Sequence, residues 1–205
     1  MRLERERRGM PHPSRSTVGL TWGIPLLAAC ALLIGPQAAR AFDGNFKGLV
    51  VGVGLGAGSA SYYDEFDIPG ALDGPRRSNV AFVTNYRLGI GLTDRVALMY
   101  DHRACWFGLN RFVIAAGVGS GGLMWYVKPG PRAWYVCGGA GLAAWDQIGS
   151  GGTSGMEGFG FYGGAGYEFT KRWCVEASVG SGRPKDGVHS IPTTLFQATA
   201  VHLWY

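Results

Sequence analysis

The sequence predicts an all-β chain closed into an eight-stranded antiparallel up-and-down barrel that crosses a membrane. Three observations carry that expectation. Apolar residues alternate at period two with glycine or small polar residues through eight stretches between Phe46 and Tyr205. Tight turns alternate with longer, more varied connections, as they do in barrels whose strands thread up and down. Basic residues collect at the tight turns and aromatic residues stand just above them, the order expected at a membrane interface.

Taken in order, residues 1 to 41 read as a signal peptide. Arg2, Arg5, Arg7, Arg8 and Arg15 precede the apolar run Ile24 to Ile34, and Ala39-Arg40-Ala41 supplies a small-x-small cleavage site before Phe42. The apolar run is about 11 residues, short of the roughly 20 that a transmembrane helix needs. Two alternatives stay open here: Met10 as the start, and Leu27-Ala28-Ala29-Cys30 as a lipoprotein box that would leave Cys30 lipidated. The leader holds six of the 19 basic and two of the 14 acidic residues, leaving 13 against 12 in the single domain expected over residues 42–205. The high isoelectric point therefore belongs to the leader, and a nucleic-acid partner has no electrostatic motive. Cys105, Cys137 and Cys174 are odd in number and lack metal-ligand spacing, so they read as small buried residues. No motif calls for a cofactor or a metal.

The first strand, Phe46 to Ser59, carries Leu49, Val51, Val53, Leu55 and Ala57 on one face and Gly48, Gly52, Gly54, Gly56 and Gly58 on the other. A face almost without side chains suits the inside of a narrow barrel, so the apolar face is expected to point outward. Ser61 to Ser78, acidic and interrupted by Pro69, Gly70, Gly74 and Pro75, is expected to be a long loop. The second strand sends Val80, Phe82, Tyr86, Leu88 and Ile90 outward and Ala81, Val83, Asn85 and Arg87 inward. After Thr93-Asp94-Arg95 the third sends Val96, Leu98, Tyr100 and Trp106 outward and Met99, Asp101, Arg103 and Cys105 inward. Pairing Leu92 with Val96 sets Arg87 opposite Asp101.

The fourth strand, Phe112 to Val127, is assigned by the same rule: Ile114, Ala116, Val118, Met124 and Tyr126 outward, Gly117, Gly119, Gly121 and Trp125 inward. Lys128 to Arg132 is a turn. The fifth strand presents Trp134, Val136, Ala140 and Leu142 outward against Tyr135, Cys137, Gly139 and Gly141. Gly149 to Glu157 is expected to be a flexible loop. Phe159, Phe161, Ala165, Tyr167 and Phe169 face out from the sixth strand, with Tyr162, Gly164, Gly166 and Glu168 inward. Thr170-Lys171-Arg172 turns into the seventh, where Trp173, Val175, Ala177 and Val179 oppose Cys174, Glu176, Ser178 and Gly180. Gly182 to Pro192 is the last loop. The eighth strand is assigned Leu195, Val201, Leu203 and Tyr205 outward, and Phe196, His202 and Trp204 inward.

Arg95, Lys128, Arg132, Lys171 and Arg172 occupy the tight turns, below a girdle read as Tyr126, Trp134, Tyr167, Phe169, Trp173 and Tyr205. With this strand count and loop asymmetry, with Gly164-Ala165-Gly166-Tyr167-Glu168-Phe169 and with an aromatic C-terminus, residues 46–205 resemble the small OmpA/OmpX-type outer-membrane barrels of Gram-negative bacteria. The resemblance implies an outer-membrane location, outer-membrane lipid and lipopolysaccharide as surroundings, and recognition of the last strand by barrel-assembly machinery, with Tyr205 where Phe is usual. That group includes anchors, adhesins, narrow pores and a few enzymes, so the fold does not choose among them.

Three candidate sites follow. Inward parity puts Arg87, Asp101, Arg103, Glu168 and Glu176 at similar depth in a poorly solvated lumen, where they must pair; Arg87 is expected to bridge Asp101 and one glutamate and to help plug the barrel. Tyr62, Tyr63, Asp64, Glu65 and Phe66 form the most contact-prone loop cluster. His189 and Ser190, with Glu157 or Asp186, are the catalytic alternative, because some barrels that look like this one are lipid A deacylases with a His-x-Ser arrangement near the outer rim. Here the two residues are adjacent, which on a strand sends them to opposite faces. The expected function is a non-enzymatic structural or surface-interaction barrel, with the esterase second and a narrow small-solute pore third.

Overall fold

The computed structural model describes residues 48–128, 132–149 and 152–204. The expected signal segment with Cys30, and Tyr205, lie outside the described residues. The strands are β1 (Gly48–Tyr62), β2 (Glu65–Phe66), β3 (Arg77–Gly91), β4 (Val96–Leu109), β5 (Phe112–Tyr126), β6 (Trp134–Gly149), β7 (Gly152–Glu168), β8 (Trp173–Gly182), β9 (Lys185–Asp186), β10 (His189–Ser190) and β11 (Thr193–Trp204). The eight long ones close a ring: β1 pairs with β3 and β11, and β7 with β6 and β8, antiparallel throughout. Closure leaves no edge in the wall, which is the condition for strands to cross a bilayer. β7 is 17 residues and β8 is 10, against the roughly 9 to 11 needed to span, so the longer strands run on past the hydrocarbon.

The inner turns are local constructions. Leu92 N–H donates to the Val96 carbonyl at 2.8 Å, and the Thr93 hydroxyl accepts from the N–H groups of Arg95 and Val96 at 3.2 and 3.1 Å. Thr170 repeats the device toward Arg172 and Trp173 at 3.4 and 3.1 Å. The first of these turns fixes the register that puts Arg87 across from Asp101.

The wall is apolar outside, with Leu55, Phe82, Ile90, Leu142, Phe159 and Phe161 all exposed, a surface suited to lipid and not to water. In β5 and β11 the faces are opposite to those expected. Trp125 and Trp204 point outward, each 44% exposed, whereas Tyr126 is 1% exposed in the lumen with Met124, Val201 and Leu203. In β5 the inward Met124 and Tyr126 join the apolar lumen cluster that holds Val201 and Leu203, and in β11 the cause is the pairing of large residues with small across the β1–β11 seam. Leu203 lies opposite Gly52 and Val201 opposite Gly54; a Cβ added at those glycines would come within 2.9 and 2.8 Å of the two side chains. Trp125, Trp134, Tyr167, Phe169, Trp173 and Trp204 thus make the outward aromatic belt. His202, expected in the lumen, stands outside between Trp173 and Trp204, its ring centroid 4.8 and 4.3 Å from theirs.

Two loops also differ. Gly149 to Glu157 is no loose loop: β6 and β7 stay paired out to Gly149 and Gly152. β1 runs on to Tyr62, so the first connection is shorter, and it is held down by a ribbon in which β10 pairs with both β2 and β9.

The lumen is layered. Nearest the tight turns lies an apolar cluster that includes Val50, Met99, Met124, Tyr126, Val201 and Leu203. Toward the outer rim lies a second, with Tyr62, Val83, Phe107, Ile114, Trp145 and Leu195. Arg87, Asp101, Arg103 and Glu176 sit between them.

Candidate functional site

The middle layer is built by inward positions of β3, β4 and β8. Arg87 Nε donates to Asp101 Oδ1 at 2.9 Å and its Nη2 donates to Glu176 Oε2 at 2.8 Å. Arg103 Nη1 donates to Glu176 Oε1 and, at 3.0 Å, to Ser178 Oγ; its Nη2 lies 3.5 Å from Asp101 Oδ1. The four charged side chains are essentially without solvent contact. Two cations face two carboxylates, so the group is neutral as a unit, which is what a low-dielectric interior tolerates.

Tyrosines complete the layer. Tyr162 O–H donates to Asp101 Oδ2 at 2.5 Å and Tyr135 O–H donates to Glu176 Oε2 at 2.8 Å, while the Arg103 guanidinium lies 4.1 Å from the Tyr162 ring centroid. Glu168, grouped with these charges on sequence grounds, lies nearer the tight turns and accepts from Tyr126 O–H at 3.2 Å. Tyr135, Tyr162 and Ser178 were legible as inward residues but not as partners; their signal is a hydroxyl at the same parity and depth as an unpaired carboxylate or guanidinium. Cys105, Cys137 and Cys174 are free and buried.

The outer rim departs further from expectation. Tyr62 is a lumen residue, 3% exposed, with ring centroids 5.7 Å from Phe107 and 4.7 Å from Trp145, and its hydroxyl accepts from Asn79 at 2.9 Å. Its parity on the extended β1 decides this. Tyr63 lies under the Arg76 guanidinium at 5.4 Å, and Phe66 stacks on His189 at 4.9 Å. His189 Nε2 is 3.1 Å from Asp64 Oδ1; the Ser190 hydroxyl donates to Glu65 Oε2 at 3.2 Å and accepts from Arg183 Nε at 3.3 Å. His189 and Ser190 therefore engage different carboxylates from opposite faces of the ribbon, and neither partner is Glu157 or Asp186. No nucleophile-to-base hydrogen bond joins the two among the described residues. Outward on the first loop stand Phe66, Asp67, Ile68, Leu72 and Asp73, with Leu72 89% exposed, and the basic Arg76 and Arg77 follow them.

A ring of eight antiparallel strands, apolar outside and filled with side chains inside, with tight turns at one rim and a ribboned cap at the other, defines a small transmembrane barrel. No protein-family profile matches the chain, and no curated protein sequence does. Among solved structures the chain is similar to Neisserial surface protein A, at 13% identity over 78% of this chain and 99% of that one, with a TM-score of 0.51. It is also similar to OprG from Pseudomonas aeruginosa, at 12% identity over 79% and 98% of the two chains and a TM-score of 0.46. A third is Ail, the attachment invasion locus protein of Yersinia pestis, at 12% identity, 74% and 97% coverage and a TM-score of 0.42. The first likeness shows the fold, that of the small OmpA/OmpX-type barrels of Gram-negative outer membranes.

Proposed function

We propose that this chain is an outer-membrane scaffold that acts through its outer loops, with a lumen closed to solutes. The observation that carries the reading is the neutral layer of Arg87, Asp101, Arg103 and Glu176 held between two apolar clusters. An ion entering the barrel meets apolar side chains, then charges already paired, then apolar side chains again. With the interior occupied, the accessible chemistry lies at the rim, where Phe66, Ile68 and Leu72 stand exposed beside Asp67 and Asp73. The separate engagement of His189 and Ser190 favours the scaffold over an esterase. Outer-membrane lipid and lipopolysaccharide are the proposed surroundings, and assembly machinery is proposed to read the C-terminal segment that includes Tyr205.

Planar-bilayer recording tests the closed lumen. The wild-type barrel is expected to show no steady conductance, and Glu176→Ala to open brief conducting states as water enters around Arg87 and Arg103. Steady conduction by the wild type replaces the scaffold with the pore.

A further inference from the structure

We propose that the tight-turn rim is a binding surface for anionic phospholipid headgroups, which it holds by their phosphates. Its three connections carry Arg95, Lys128, Arg132, Lys171 and Arg172, all exposed, and Asp94 is the one acidic residue in those connections. The opposite rim instead mixes both signs and pairs them, as Arg183 does with Glu65 at 2.8 Å.

Depth selects a lipid over a soluble partner. Val96 pairs with Trp125, so Arg95 lies one residue below an outward indole; Arg172 adjoins Trp173, and Arg132 is two residues from Trp134. At about 3.3 Å of rise per residue, the cations stand within roughly 10 Å of the aromatic belt. Indoles settle at the level of the headgroups, so these charges meet phosphates. Turns this short cannot carry them away from the bilayer.

One further observation points the same way. Arg132 has φ of 59°, in the left-handed region where glycine would be relaxed; the backbone gives no reason for arginine there, and its side chain does.

The test places the protein in nanodiscs of phosphatidylcholine mixed with phosphatidylglycerol and counts the lipids it retains by native mass spectrometry, with folding scored by heat-shifted gel mobility. Wild type is expected to retain phosphatidylglycerol several-fold above its share of the disc. Joint replacement of Arg95, Lys128, Arg132, Lys171 and Arg172 by Gln is expected to abolish the enrichment, and Arg76→Gln with Arg77→Gln and Arg111→Gln at the opposite rim to preserve it. If the five-site variant does not fold, Lys171→Gln with Arg172→Gln, confined to one exposed turn, is expected to lower the enrichment. Bulk-like retention by wild type, undiminished enrichment in the two-site variant, or displacement by inorganic phosphate would overturn the proposal.

Discussion

Arg87 is held from two sides, by Asp101 on the neighbouring strand and by Glu176 across the lumen, and Glu176 in turn faces both guanidinium groups. Removing one member of a buried ionic group exposes the others to an unpaired state that the surroundings cannot solvate. Glu176→Ala is therefore expected to cost on the order of 3 to 5 kcal/mol, read from the denaturant midpoint of unfolding in lipid vesicles. A cost below about 1 kcal/mol, the range of exposed pairs, would mean that water already reaches the layer. The Arg87–Asp101 half of this arrangement was legible because a tight turn, local in sequence, sets the register. Glu176 was legible by parity alone. The tyrosine hydroxyls were not, since nothing local announces which ring bends toward which carboxylate.

At the scale of a strand, β5 separates the two assignments of faces most sharply. A Cβ at Gly121 would meet nothing within 4 Å, whereas one at Gly122 would run into the Gly138 carbonyl oxygen and lie 2.7 Å from Gly139 Cα. Gly121→Leu is expected to be neutral or stabilising, adding an apolar side chain toward lipid, and Gly122→Leu to lose about 1 to 3 kcal/mol or fail to fold through overpacking. The reverse order in urea-unfolding measurements would restore the faces expected from sequence. Most strands were readable because their inward residues are small or charged and their outward ones large and apolar. β5 and β11 defeat the rule because this lumen has apolar layers of its own, so Met124, Leu203 and Val201 belong inside. The faces of Leu203 and Val201 depend on Gly52 and Gly54 of another strand, a match between distant segments that periodicity along one strand does not carry. The β2–β10 ribbon was hidden for the same reason, since it joins two loops that look irregular one at a time.

For the molecule as a whole, the ring is completed where β1 meets β11, from Val51 with Trp204 to Tyr62 with Thr193. No other junction in the wall joins strands so far apart along the chain, and contacts of that kind form late because a long loop must first be closed. The ribbon above this seam ties Asp64 to His189, 125 positions apart, and Glu65 to Ser190 and Arg183. Contacts that can form only once the seam is shut are absent from the transition state of assembly, so they act on the rate of leaving the folded state and not on the rate of reaching it. Asp64→Asn with His189→Asn is expected to speed unfolding by about twofold to fivefold, the value of an exposed pair, while refolding in vesicles keeps its rate. Slower refolding in that variant would mean that the ribbon forms before the wall does. As described, the cap is a clasp on the way out: the barrel closes without it and stays closed longer because of it.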